Sequence, residues 1–130
     1  MTDVRLSPEV AARLEEALGR SYSPYSGFAV AAAVVTGSGR VFAAPNIENA
    51  SFGLTVCAER NAIFQAVAAG ERDILRLYLL TPTPELHTPC GACRQVMAEF
   101  MPPEAEVLCL SREASQRFTV EMLLPAAFSR

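Results

Sequence analysis

The sequence predicts an α/β sandwich built around a mixed sheet. Three observations carry that expectation. Two apolar runs are joined by Gly37-Ser38-Gly39, the pattern of a hairpin. Downstream, stretches with helical spacing alternate with short Val/Leu-rich runs, reading helix, strand, helix, strand. An antiparallel pair followed by alternating helices and strands needs both parallel and antiparallel pairings in one sheet. At 130 residues the chain is long enough for one domain with a real core, and residues 1–130 show no repeat, low-complexity tract or linker.

The elements follow in order. Ser7-Pro8 is an N-cap followed by proline in the first helical turn, and Val10, Leu14, Ala17 and Leu18 then recur on one face until Gly19. Residues 22–27 carry turn chemistry around Pro24 and Gly27. Residues 28–36 form a strand, residues 40–44 its hairpin partner, and residues 45–56 a long polar loop. Residues 58–69 read as a helix with Ala62, Ile63, Ala66 and Val67 inward, stopped by Gly70. Residues 74–81 are strand-like, and the prolines of residues 81–84 stiffen the loop beyond. Residues 91–101 form a short helix with Val96, Met97 and Phe100 on one side, ended by Pro102-Pro103. Residues 106–110 are an apolar strand, a further short strand lies near Phe118, and residues 120–124 make one or two helical turns.

Bulk properties exclude several function classes. The net charge is −3 and all eleven basic residues are arginines without a run or a basic helix face, which argues against a nucleic-acid partner. No stretch is apolar enough to span a membrane. The first residues lack a secretory signal, so a cytoplasmic protein is expected, and there four cysteines serve as metal ligands or core residues more readily than as disulfides. A small molecule is the expected substrate.

Cys57 is followed two residues later by Glu59, and a Cys90-x-x-Cys93 pair lies 33 residues downstream. Structural zinc sites fill four tetrahedral positions with protein atoms; three cysteines leave one open for water. A carboxylate beside that opening suits metal-assisted hydrolysis at a carbon bearing an amine. Both sulfur clusters fall at predicted helix N-termini, whose dipoles favour thiolate and offset three negative charges. Arg60 is a candidate to hydrogen-bond the sulfurs and tune the metal. Other readings remain at this level. Cys57 is also a plausible small core residue, and Cys90-x-x-Cys93 a redox pair. His87, the one histidine, is either a loop decoration or a fourth ligand that would close the site. Cys109 sits in an apolar strand and reads as core. Asn46 and Glu48, taken alone, read as ordinary loop residues.

Together, residues 25–28 (Tyr-Ser-Gly-Phe), 46–50 (Asn-Ile-Glu-Asn-Ala), 57–60 (Cys-Ala-Glu-Arg), 89–95 (Pro-Cys-Gly-Ala-Cys-Arg-Gln) and 121–125 (Glu-Met-Leu-Leu-Pro) followed by Phe128 resemble the small, three-cysteine cytidine deaminases over nearly the whole chain. The resemblance implies a three-layer α/β/α sandwich with a mixed five-stranded sheet. It implies one Zn²⁺ per subunit on Cys57, Cys90 and Cys93, with Glu59 as the proton shuttle. Asn46 and Glu48 would bind the ribose 3′-hydroxyl, Phe28 would stack on the pyrimidine, and the backbone of Ala58 and Cys90 would meet the base. Phe128 would reach into a neighbouring subunit of a homotetramer, and Arg60 would contact the ligating sulfurs. The implied reaction is hydrolytic deamination of cytidine and 2′-deoxycytidine. The chain departs from the usual pattern at Phe52, where Tyr is common, and at Pro45, Ala31 and Thr88. Rival readings are a relative acting on a cytosine-containing antibiotic such as blasticidin S, a polynucleotide cytosine editor, and a non-catalytic zinc-stabilised interaction module.

Overall fold

A computed structural model describes residues 6–130. Five strands, β1 (Ala31–Thr36), β2 (Val41–Pro45), β3 (Ile74–Leu80), β4 (Glu106–Leu110) and β5 (Ser115–Thr119), form one sheet in the order β2-β1-β3-β4-β5. The β3–β4 pairing is parallel and the other three are antiparallel, so the sheet is mixed as expected. Helix α1 (Pro8–Leu18) packs against β1 and β2 on one face. Helices α2 (Ala58–Ala68) and α3 (Gly91–Phe100) pack together on the other, with the short α4 (Val120–Leu123) against α3 and β5.

Strand alternation builds the two apolar layers. Ala32, Val34, Leu77, Leu79, Val107 and Cys109 face α2 and α3 together with Ile63, Ala66 and Met97. Their neighbours Ala31, Ala33, Tyr78, Leu80, Leu108 and Leu110 face the α1 side with Val10, Leu14 and Ala17. Cys109 is thus a core residue, and burial pushes its thiol up to about 12.

Local chemistry explains the element ends. Ser7 Oγ accepts the Val10 N–H at 3.2 Å, and Thr119 Oγ1 accepts that of Met122 at 3.2 Å, capping α1 and α4. Past the end of α2, Gly70 takes φ 96°, a left-handed conformation that glycine adopts without strain.

In three places the structure departs from the expected elements. β1 starts at Ala31 rather than residue 28, because the Asn46 side chain takes over the backbone partners upstream. Its Nδ2 donates to Phe28 O at 2.9 Å, and its Oδ1 accepts the Val30 N–H at 3.0 Å. Phe28 is thereby drawn out of the sheet. Within the 45–56 loop a single 3-10 turn forms at Phe52–Leu54. At the start of β3 the register shifts, Val35 pairing with Arg76 and Thr36 with Ile74. The bulge buries Ile74 completely and leaves Leu75 40% exposed, the reverse of strict alternation from Leu77 and Leu79.

Candidate metal centre and active site

Cys57 and Cys90 are the N-cap residues of α2 and α3, and neither side chain caps its helix. The sulfurs are therefore free to turn toward one another at two helix N-termini, where unpaired N–H groups favour negative charge. Cys57 Sγ lies 4.0 Å from Cys90 Sγ, and Cys90 Sγ lies 3.4 Å from Cys93 Sγ. All three sulfurs are within 4.8 Å of one another. A tetrahedral zinc with Zn–S bonds near 2.3 Å sets its sulfurs about 3.8 Å apart, so the three positions fit such an ion with little adjustment. Among the described residues no fourth His, Cys or carboxylate joins this cluster. His87 is therefore not a ligand here.

The surrounding charges suit three thiolates. Arg60 Nη2 donates to Cys57 Sγ at 3.5 Å, which raises the guanidinium pKa. Its Nε is buried with no hydrogen-bond partner in the described structure, leaving capacity for further negative charge. A hydrogen bond from Cys93 and then the Arg60 guanidinium pull the Cys57 thiol down to about 5, against the effect of burial. Contact with Cys57 and burial push the Cys93 thiol in the opposite direction, up. A bound divalent cation takes thiolate from all three.

Glu59 occupies the first turn of α2 and is only 4% exposed. Burial, and secondarily the charge on Cys57, pushes its carboxyl up to about 7. A carboxyl with that affinity both takes and gives protons at neutral pH.

Glu59, Cys57, Cys90 and Ala58 line one cavity of about 250 Å³ at the carboxyl end of β3. Phe28, Asn46 and Glu48 line it too; Cys93 and Arg60 join the site through the sulfurs, so of the proposed site residues only Phe128 lies outside it. Asn46 is 8% exposed, and besides its two bonds to the Phe28–Val30 backbone its Oδ1 accepts from Ser21 Oγ. One Nδ2 proton has no partner among the described residues. Glu48 Oε1 accepts the N–H groups of Tyr25 at 2.9 Å and Ser26 at 3.1 Å, and Oε2 accepts Ser26 Oγ. These bonds lower its pKa, the Ser26 hydroxyl foremost. They depend on the 25–28 turn, where Gly27 takes φ 68°. Phe128 stands apart, 68% exposed, with its carbonyl accepting from Gln95 Nε2 at 3.1 Å. His87, Thr81 and Thr88 also line the cavity; the sequence offered His87 only as a loop residue or fourth ligand and assigned Thr81 and Thr88 no place in the site.

The model of the family described as "Cytidine and deoxycytidylate deaminase zinc-binding region" matches residues 7–109. The chain belongs to this family. A curated relative named cytidine deaminase, from Halalkalibacterium halodurans, is 46% identical over 84% of this chain and 83% of its own length. Another of that name, from Sporosarcina psychrophila, is 40% identical over 92% of this chain and 88% of its own. The crystal structure of a cytidine deaminase from Burkholderia pseudomallei superposes with a TM-score of 0.88, at 40% identity, covering 95% of this chain and 100% of that one. The family description and the sulfur cluster agree on zinc as the cofactor.

Proposed function

We propose that this chain hydrolyses the exocyclic amine of cytidine and 2′-deoxycytidine, giving uridine and 2′-deoxyuridine with release of ammonia. The observation that carries the reading is a buried Glu59, its carboxyl pushed up to about 7, lining one cavity with Cys57 and Cys90 of the sulfur cluster in a chain of a zinc-binding deaminase family. When bound on Cys57, Cys90 and Cys93, zinc acidifies water and so supplies an oxygen nucleophile at neutral pH. Glu59 accepts a proton from that nucleophile and delivers one to N3 of the base, making C4 electrophilic. The water oxygen bonds to C4, and Glu59 then moves the proton of the new C4 hydroxyl to the amino group; the C4–N bond breaks, ammonia departs and C4 is left as a carbonyl. One water is consumed for each ammonia released, and Glu59 ends in the state in which it began.

Positioning falls to the remaining lining residues. The second Nδ2 proton of Asn46 and the spare acceptor capacity of Glu48 suit a sugar hydroxyl. The free N–H groups of the first turn of α2, from Ala58 onward, suit the oxygen or nitrogen edge of the base. Among the described residues no arginine or lysine lines the cavity, while Glu48 stands in it, which favours a nucleoside over a phosphorylated substrate or a polynucleotide.

A single catalytic domain over residues 1–130, acting in the cytoplasm as a homotetramer, completes the reading. Free thiols at all four cysteines suit a reducing compartment. Tyr25 and Phe52, whose rings meet, are 50% and 74% exposed, and Leu54 and Phe128 are 66% and 68% exposed. Exposed apolar groups of that size suit burial against further copies of the chain. No described helix is long and apolar enough to cross a membrane. The test is zinc-loaded protein with cytidine, followed by the ultraviolet change as uridine forms, with blasticidin S and single-stranded DNA in parallel. Conversion of cytidine alone supports the reading; no conversion of cytidine overturns it.

A further inference from the structure

Two rings from distant parts of the chain meet in the cavity wall. Phe28 and His87 have centroids 5.2 Å apart and planes inclined at 58°, within the range of attractive aromatic pairs. Both line the cavity that holds Cys57, Glu59 and Cys90. Phe28 needs such a neighbour. It lies outside β1, in chain held by its carbonyl's bond to Asn46 and by its N–H donating to Ser26 Oγ at 3.0 Å, and it is only partly buried.

The orientation of His87 is not explained by hydrogen bonding. Its Nε2 is buried and unpaired, with the nearest carboxylate oxygen, Glu85 Oε1, at 3.6 Å, beyond hydrogen-bond reach. No hydrogen bond to Nδ1 is present among the described residues either. An imidazole that leaves a buried nitrogen unsatisfied has its place set by its other contacts. The Phe28 ring is such a contact.

We propose that His87 is a positioning residue for the substrate base: its ring braces Phe28, so that the aromatic wall keeps a pyrimidine turned with its C4 edge toward Glu59. The proposal rests on the nucleoside reading of the cavity. Bracing acts on the bound base whether or not it has reacted, so its loss falls on KM more than on kcat.

Steady-state kinetics with cytidine on the zinc-loaded enzyme decides the matter. His87→Ala raises KM roughly 2- to 12-fold, the range an aromatic pair supports, with kcat and zinc content held. His87→Phe, which keeps a ring without nitrogens, returns KM to within about twofold of wild type, whereas His87→Gln, polar and without a ring, does not. In a Phe28→Leu background His87→Ala adds less than it does alone, because the braced partner is gone. An unmoved KM in His87→Ala, full rescue by His87→Gln, or additive effects with Phe28→Leu overturns the proposal. Should His87→Ala fail to fold, the contrast between the Phe and Gln variants carries the test, and any order other than Phe above Gln overturns the brace. Wild-type enzyme that leaves cytidine unchanged removes the nucleoside reading and the brace with it; cytidine turnover with an insensitive KM removes the brace alone.

Discussion

At Glu59, helix geometry and burial act on one carboxyl. Two residues past Cys57, in the first turn of α2, it cannot swing away from the sulfurs, and its 4% exposure holds its pKa near 7. It belongs to no metal-ligating cluster among the described residues. Glu59→Gln is therefore expected to keep full zinc by metal analysis while losing at least about a hundredfold in kcat, the usual weight of a proton-transfer group. Loss of zinc together with activity would make Glu59 a ligand instead. The spacing of Cys57, Glu59, Cys90 and Cys93 made the meeting of these four side chains legible in the sequence, because helix N-termini convert short spacings into fixed geometry. His87 was not legible in that way. Its meaning depends on a ring 59 positions away that reaches it only after the loop beyond β3 folds back over the cavity.

The same contrast governs whole elements. Periodicity and punctuation place the helices and strands, since Gly70, Pro102 and the Gly37–Gly39 turn act locally. What escapes is any feature set by a partner strand or a distant side chain. Asn46 shortens β1 by satisfying Phe28 and Val30 from 16 to 18 residues away. The bulge opposite Val35 and Thr36 inverts the inward set of β3, although Ile74 and Leu75 are equally apolar in the sequence. Their substitutions should differ sharply. Ile74 is completely buried, so Ile74→Ala should cost about 2–5 kcal/mol in denaturant unfolding. Leu75→Ala, at a 40% exposed site, should cost less than about 1 kcal/mol. Equal losses at the two positions would mean that β3 pairs without the bulge.

For the whole molecule, the question is how far the metal holds the fold together. The three sulfurs tie the N-terminus of α2 to that of α3, two helices that already share an apolar face with the sheet through Ile63, Ala66 and Met97. On the opposite face Val10, Leu14 and Ala17 close a second apolar layer that the metal does not touch. Two layers of that extent sustain a chain of 130 residues without a cation, unlike small zinc modules whose folding free energy comes from the ion. Chelation should thus leave secondary structure intact in far-ultraviolet circular dichroism while lowering the thermal midpoint. Zinc free at a hundred times its Kd stabilises by about 2.7 kcal/mol, and removing that lowers the midpoint of a domain this size by roughly 10 °C. Re-adding zinc should restore both midpoint and turnover, because the sulfurs are held together by α2 and α3 on the sheet and Arg60 stays bonded to Cys57. Collapse of the circular dichroism signal on chelation would show instead that the apolar layers depend on the metal. An unchanged midpoint would place the zinc elsewhere than between α2 and α3.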